Sequence, residues 1–168
     1  MTTHTPPAAG TAPTDILVEQ REGVAIVTLN RPHERNPLGL AFPDQMLGVL
    51  QQLDDDLELP VIAAVNGAAV GGGAALAMAC DIAVASDRAR YSFAFGRLGA
   101  AACDMGCSYL LPRIVGSVRA RHWLLTGASV DAEAGRAAGL FVDVVSGEQL
   151  RPASCPSPAA RIPTCRPA

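Results

Sequence analysis

The sequence has no lysine; all 13 of its basic residues are arginine. That excludes a Schiff-base amine and the lysine of a phosphate-binding loop, so any chemistry must come from carboxylates, histidines, thiols or the backbone itself. An excess of positive charge is also missing. With 16 acidic residues and a net charge of −3, no basic field exists to attract nucleic acid or anionic lipid. The five cysteines are odd in number, and Cys103 and Cys107 have no histidine close by, which argues against both a disulfide framework and a zinc site. No metal is expected. The first fifteen residues, rich in Thr, Pro and Ala, lack the cationic start and apolar stretch of a signal peptide. The expectation is a disordered segment over residues 1–15 and a cytoplasmic protein.

Charge is absent altogether from Leu59 to Cys80. The run is long enough for a membrane span, and Gly67 with Gly71 makes a GxxxG. It also holds a proline, an asparagine and four glycines, and its flanks are acidic rather than Arg-rich. A buried strand followed by a buried helix accounts for it better, because a parallel strand covered on both faces reads as a continuous apolar run.

What is present suits one core: 168 residues, 49% of them hydrophobic, in a size range that buries roughly 70% of the unfolded surface. Val24 to Leu29 reads as a buried strand ended by Asn30-Arg31-Pro32, and Phe42, Met46, Leu50 and Leu53 fall on one helical face. Val61 to Val65 is the next strand, with a helix from Gly72 to about Ala79. Ile82 to Ala85 and Tyr91 to Phe95 are further strand candidates, and Tyr109 to Ile114 and Val118 to Leu125 look helical, with Trp123 on a core face. Asp131 can cap a helix that stops at Gly139, and Leu140 to Val145 is a last strand. Strands alternating with helices imply an α/β fold with parallel pairing. From Ser146 on, Pro, Ala, Ser and Arg without a period predict a disordered tail over 146–168 that adds nothing to the core.

The most informative stretch is the strand-to-helix junction Val70-Gly71-Gly72-Gly73-Ala74. A helix N-terminus leaves its first N–H groups unpaired, the macrodipole adds partial positive charge there, and glycine lets a ligand approach the backbone. Such a turn suits a developing oxyanion. Close helix–strand packing is the other use for glycines in this place.

Taken with Asn30-Arg31-Pro32 upstream and Leu111-Pro112-Arg113-Ile114-Val115-Gly116 downstream, the sequence from about Ile16 to Val145 resembles the crotonase superfamily, the enoyl-CoA hydratases and isomerases. The resemblance implies a ClpP/crotonase-like spiral of ββα units over residues 16–145. It also implies an acyl-CoA thioester as substrate, no cofactor beyond that substrate, and a homo-oligomer of the family's trimeric type. Gly72 matches the position whose N–H forms half of the oxyanion hole, with Gly71 and Gly73 beside it. Arg31, Arg35 and Asn36 sit where the family's first loop meets CoA, although solvated surface arginine is the simpler reading of either arginine taken alone.

The hydratases of this family carry one glutamate on the helix after the glycines and a second in the next loop, where this sequence has Ala75 and Phe95. Cys103-Asp104-Met105-Gly106 resembles instead the Pro-Asp-x-Gly segment of the isomerase-type branch, which makes Asp104 the candidate proton shuttle. Asp104 could equally cap the following helix. Asp55 to Pro60 spans an interval where the family has a strand and a loop with the other oxyanion amide, and the family continues beyond Val145 into further helices. The fold is therefore expected to be incomplete, and two functions stay open: an isomerase-type enzyme, or a non-catalytic remnant or partner subunit of one.

Overall fold

The computed structural model describes residues 16–21, 24–30, 38, 41–53, 61–95 and 104–150, in two compact units that divide between Leu59 and Pro60. In the first unit, β1 (Ile16–Arg21) and β2 (Val24–Leu29) form an antiparallel hairpin, with Ile16 opposite Leu29 and Arg21 opposite Val24. α1 (Phe42–Leu53) packs against β1. Pro43 and Asp44 fall in its first turn, where a missing N–H costs nothing and a negative charge meets the positive end of the dipole. The expected apolar face is only partly covered. Phe42 is buried, whereas Leu50 is 46% exposed.

The second unit is built from repeated strand–strand–helix steps. β3 (Ile62–Val65), β4 (Ala68–Val70) and α2 (Gly72–Ala79) make the first; β5 (Ile82–Ser86) and β6 (Arg90–Ser92) lead through a 3-10 turn, Asp104–Gly106, into α3 (Cys107–Val115). α4 (Ser117–Thr126), β7 (Ser129–Asp131), α5 (Ala132–Ala138) and β8 (Asp143–Val145) complete it. β3, β5 and β8 share one parallel sheet, and β4, β6 and β7 share a second sheet. This is an α/β spiral of ββα units.

The corners of successive steps are tied by polar groups. Ser86 is buried and its hydroxyl donates to the Asn66 carbonyl at 3.0 Å while accepting the Arg88 N–H at 3.2 Å; Arg90 N–H donates to Gly67 O at 3.1 Å. Asp81, just past α2, accepts the Val61 N–H on Oδ2 at 2.8 Å and returns its own N–H to Val61 O at 3.0 Å. Each bond satisfies a backbone group that the strand ladders leave over.

The core of this unit is small residues against a few aromatics. Ala74, Ala75 and Met78 of α2 are buried, and the small side chains let the helix lie close to the sheets. Phe141 and Tyr91 meet edge-on at 4.9 Å, Tyr91 meets Phe93 at 6.4 Å, and Phe93 stacks on Trp123 at 6.1 Å. Trp123 thus packs against the core as expected, but its neighbour Leu125 is 81% exposed.

The uncharged run from Leu59 to Cys80 holds the expected strand and helix, β3 and an eight-residue α2, with β4 between them, and among the described residues no helix is long and apolar enough to cross a membrane. Several other expectations needed correction. Pairing is mixed rather than wholly parallel, since β1 with β2 and β6 with β7 are antiparallel. β6 stops at Ser92, where Phe93 N–H turns to Ala128 O. β8 begins only at Asp143, because Gly139 ends α5 in the left-handed region and Leu140 N–H folds back onto Gly135 O, burying Leu140 and Phe141 as a plug. Beyond Ser146 the chain continues as a turn closed by Gln149 N–H to Ser146 O, and Leu150 is buried. The core therefore reaches past the expected start of the tail. The segments 1–15 and 151–168 lie outside the described residues.

Candidate functional site

The α2 N-terminus is set by β4 and β6. These strands pair in parallel with Val70 opposite Ser92, and Gly71 prolongs the ladder by donating its N–H to Ser92 O at 3.0 Å. The chain then turns into the helix through Gly71 at φ 53° and ψ −112°, a conformation that a β-carbon strains against. Glycine at 71 is required by the turn and not by crowding, since an added Cβ would meet only Phe95 Cε1 at an ordinary 3.8 Å.

The first intrahelical bond is Ala75 N–H to Gly71 O at 3.0 Å. The amides of Gly72, Gly73 and Ala74 precede that bond and have no partner within the helix. Gly72 and Gly73 are half-buried, and no described atom lies within 4 Å of where a Gly73 Cβ would sit. Packing does not explain Gly73; room at the backbone does. Of the three glycines singled out from sequence, Gly71 has its amide engaged in the ladder, whereas Gly72 and Gly73 stand at the open end of the dipole.

Ala75 and Phe95 are buried at 4% and 5% exposure. Both positions are filled with apolar side chains, and neither can carry a proton. The 3-10 turn Asp104–Gly106 packs against α2, which brings the segment of Asp104 beside the helix that opens on the glycines. The N-cap position of α3 is Gly106 at φ 77°. Met105, between Asp104 and Gly106, is left-handed, with φ 56° and ψ 24°. No feature of the sequence signalled that conformation. Arg31, Arg35 and Asn36 lie outside the described residues.

Other ionisable groups stand apart from this junction. Burial pushes the Cys107 thiol from 9.0 up to about 11, and burial together with Asp81 raises Cys80. Tyr91 is also raised, by burial first and then by Cys80, and its hydroxyl is buried without a partner. Cys107 and Tyr91 belong to the core, and Cys80 is half-buried at the end of α2. A shallow depression lined by Val115, Gly116, Ser117, Val118, Arg119 and His122 shares no residue with the α2 junction.

A ββα spiral with a glycine-opened helix is matched by known proteins. Residues 55–155 fit the family model described as Enoyl-CoA hydratase/isomerase. The chain belongs to the enoyl-CoA hydratase/isomerase family, within the crotonase superfamily. Among curated relatives, the probable enoyl-CoA hydratase echA12 of Mycobacterium tuberculosis is 45% identical over 137 residues, covering 78% of this chain and 47% of that protein. The chain thus spans about half the length of the first curated relatives it matches. The probable enoyl-CoA hydratase echA8 of Mycobacterium bovis is 30% identical over 181 residues, with 80% of this chain and 70% of that protein covered. That alignment is longer than the 168-residue chain, so within it echA8 holds residues that this family member lacks. A monofunctional enoyl CoA isomerase from M. smegmatis, known in crystal form, superposes with a TM-score of 0.76 at 35% identity, covering 83% of this chain and 80% of that one.

Proposed function

We propose that this family member acts on acyl-CoA thioesters as an isomerase, with Gly72 N–H polarising the thioester carbonyl and Asp104 moving a proton. The observation that carries the reading is the packing of the Asp104 turn on α2, whose first amides are free of intrahelical bonds. Amides at a helix N-terminus stabilise the enolate formed when a proton leaves the carbon next to the thioester. A carboxylate that binding substrate closes off from water has its proton affinity raised toward that of a working base. Asp104 takes the proton from C2 of a 3-enoyl thioester and returns it at C4, so the double bond migrates with no water added. The buried Ala75 and Phe95 favour this course over hydration. Similarity to the M. smegmatis isomerase supports it. In this reading Arg31, Arg35 and Asn36 contact CoA, and Gly71 and Gly73 hold the turn open.

A second reading, a non-catalytic remnant or partner subunit, is favoured by the residues that echA8 has and this chain lacks. Incubation with a 3-enoyl-CoA deuterated at C2 separates the two. The first reading expects a conjugated product with deuterium carried from C2 to C4, and a loss of roughly 10²–10⁴-fold in rate for Asp104→Asn. Absence of any conjugated product with the native chain supports the second.

A further inference from the structure

Met105 is left-handed, and among the described residues it is the only non-glycine with positive φ. Glycine holds this region freely, whereas a side chain there is strained by its β-carbon against the backbone. Tertiary packing often repays such strain. Here it does not: the Met105 side chain is 58% exposed, although the fold buries Leu111 completely and Cys107, two residues on, completely as well. Turn geometry alone would be better served by a second glycine beside Gly106, itself at φ 77°. The strained position therefore presents a long, flexible apolar side chain to the outside of a turn that packs on α2. Methionine fills irregular apolar space and adapts to it, so what is missing from its surroundings is an apolar surface to lie on.

Resting on the isomerase reading above, we propose that Met105 is a specificity-determining residue whose thioether chain packs against the hydrocarbon part of a bound acyl-CoA, favouring longer acyl chains. Its turn packs on α2, the helix that opens on the glycines, so in that reading Met105 stands on the segment beside the bound acyl chain. A hydrocarbon tail covers Met105 and removes its exposed surface from water, and a short acyl group ends before reaching it.

The test is equilibrium binding of free CoA, a four-carbon and a ten-carbon straight-chain 2-enoyl-CoA to the native chain, Met105→Gly and Met105→Asn. Both replacements accept the left-handed backbone, so both variants fold, and Met105→Gly melts at or above the native temperature. The expected result is a loss of roughly tenfold in affinity for the ten-carbon thioester in both variants, with free CoA and the four-carbon thioester within about twofold of native. An unchanged chain-length preference overturns the inference, and so does an equal loss for all three ligands, which marks a scaffold role. If the native chain binds none of the three, the isomerase reading fails and this inference falls with it; native binding with unaltered preference removes this inference alone.

Discussion

Cys107 sits at the first residue of α3 with no exposed surface, and its thiol is held protonated up to about 11 against an ordinary 9.0. In the unfolded chain the thiol ionises near 9 while the folded one does not. Stability from this group is therefore complete below pH 9 and declines as pH rises toward 11, by up to about 3 kcal/mol at the top of that window. Urea unfolding at pH 8, 9, 10 and 10.5 measures the slope. The Cys107→Val variant is expected to lose less stability over that range than the native chain, and equal slopes would contradict the assignment. Cys80 and Tyr91 are raised too, so part of the slope persists in the variant. At this scale the sequence was legible where a residue acts on its own neighbours in the chain, as Asp131 does. It was silent on Ser86, whose hydrogen bonds to Asn66 and Arg88 depend on two strand corners meeting.

Among the elements, α5 was the most legible, because both of its ends are written locally. Asp131 accepts the Ala134 N–H at 2.8 Å, and Gly139 closes the helix at φ 87°. Asp131→Ala is expected to cost about 1 kcal/mol, read as a shift in denaturant midpoint at unchanged m-value. Inside the same helix Gly135 answers to a distant residue. A Cβ there would lie 2.5 Å from Phe141 Cε2 and 2.7 Å from Cδ2, and Phe141 is itself buried against Tyr91. Gly135→Ala gains about 1 kcal/mol of helix propensity and loses more to overpacking, so the net effect is destabilising by about 1–2 kcal/mol. A more stable Gly135→Ala protein in the same denaturant series would show that Phe141 can move aside. The three-residue strands β4 and β7 escaped the sequence reading for a related reason. Ala68–Val70 has no alternating pattern, and Ser129–Asp131 no apolar run; each is a strand because β6 lies beside it.

On the scale of the molecule, the second unit is two sheets joined corner by corner, and the helix that opens on Gly72 is fixed by both. A ligand that binds only this folded arrangement must raise its stability. For a CoA thioester at a hundred times its dissociation constant the gain is about 2.7 kcal/mol, seen as a concentration-dependent rise in melting temperature. Free CoA and the 3-enoyl thioester should both shift the melt, the thioester further; a cooperative melt that neither ligand moves would count against a CoA site in this chain. Family membership was legible in the sequence because three short motifs, around Arg31, Gly72 and Arg113, stand in a fixed order. By itself the sequence determined the α/β class, the strand-to-helix junction at the glycines, the absence of lysine chemistry and the apolar residues at positions 75 and 95. These follow from residue type and near-neighbour spacing. Only the tertiary structure decided that Gly71 gives its amide to Ser92, that α3 opens on a left-handed Gly106, that the Asp104 turn lies on α2, and that Met105 is held left-handed with its side chain uncovered. Each of those depends on a contact or a dihedral angle imposed by strands and helices far apart in the chain, which no local pattern encodes.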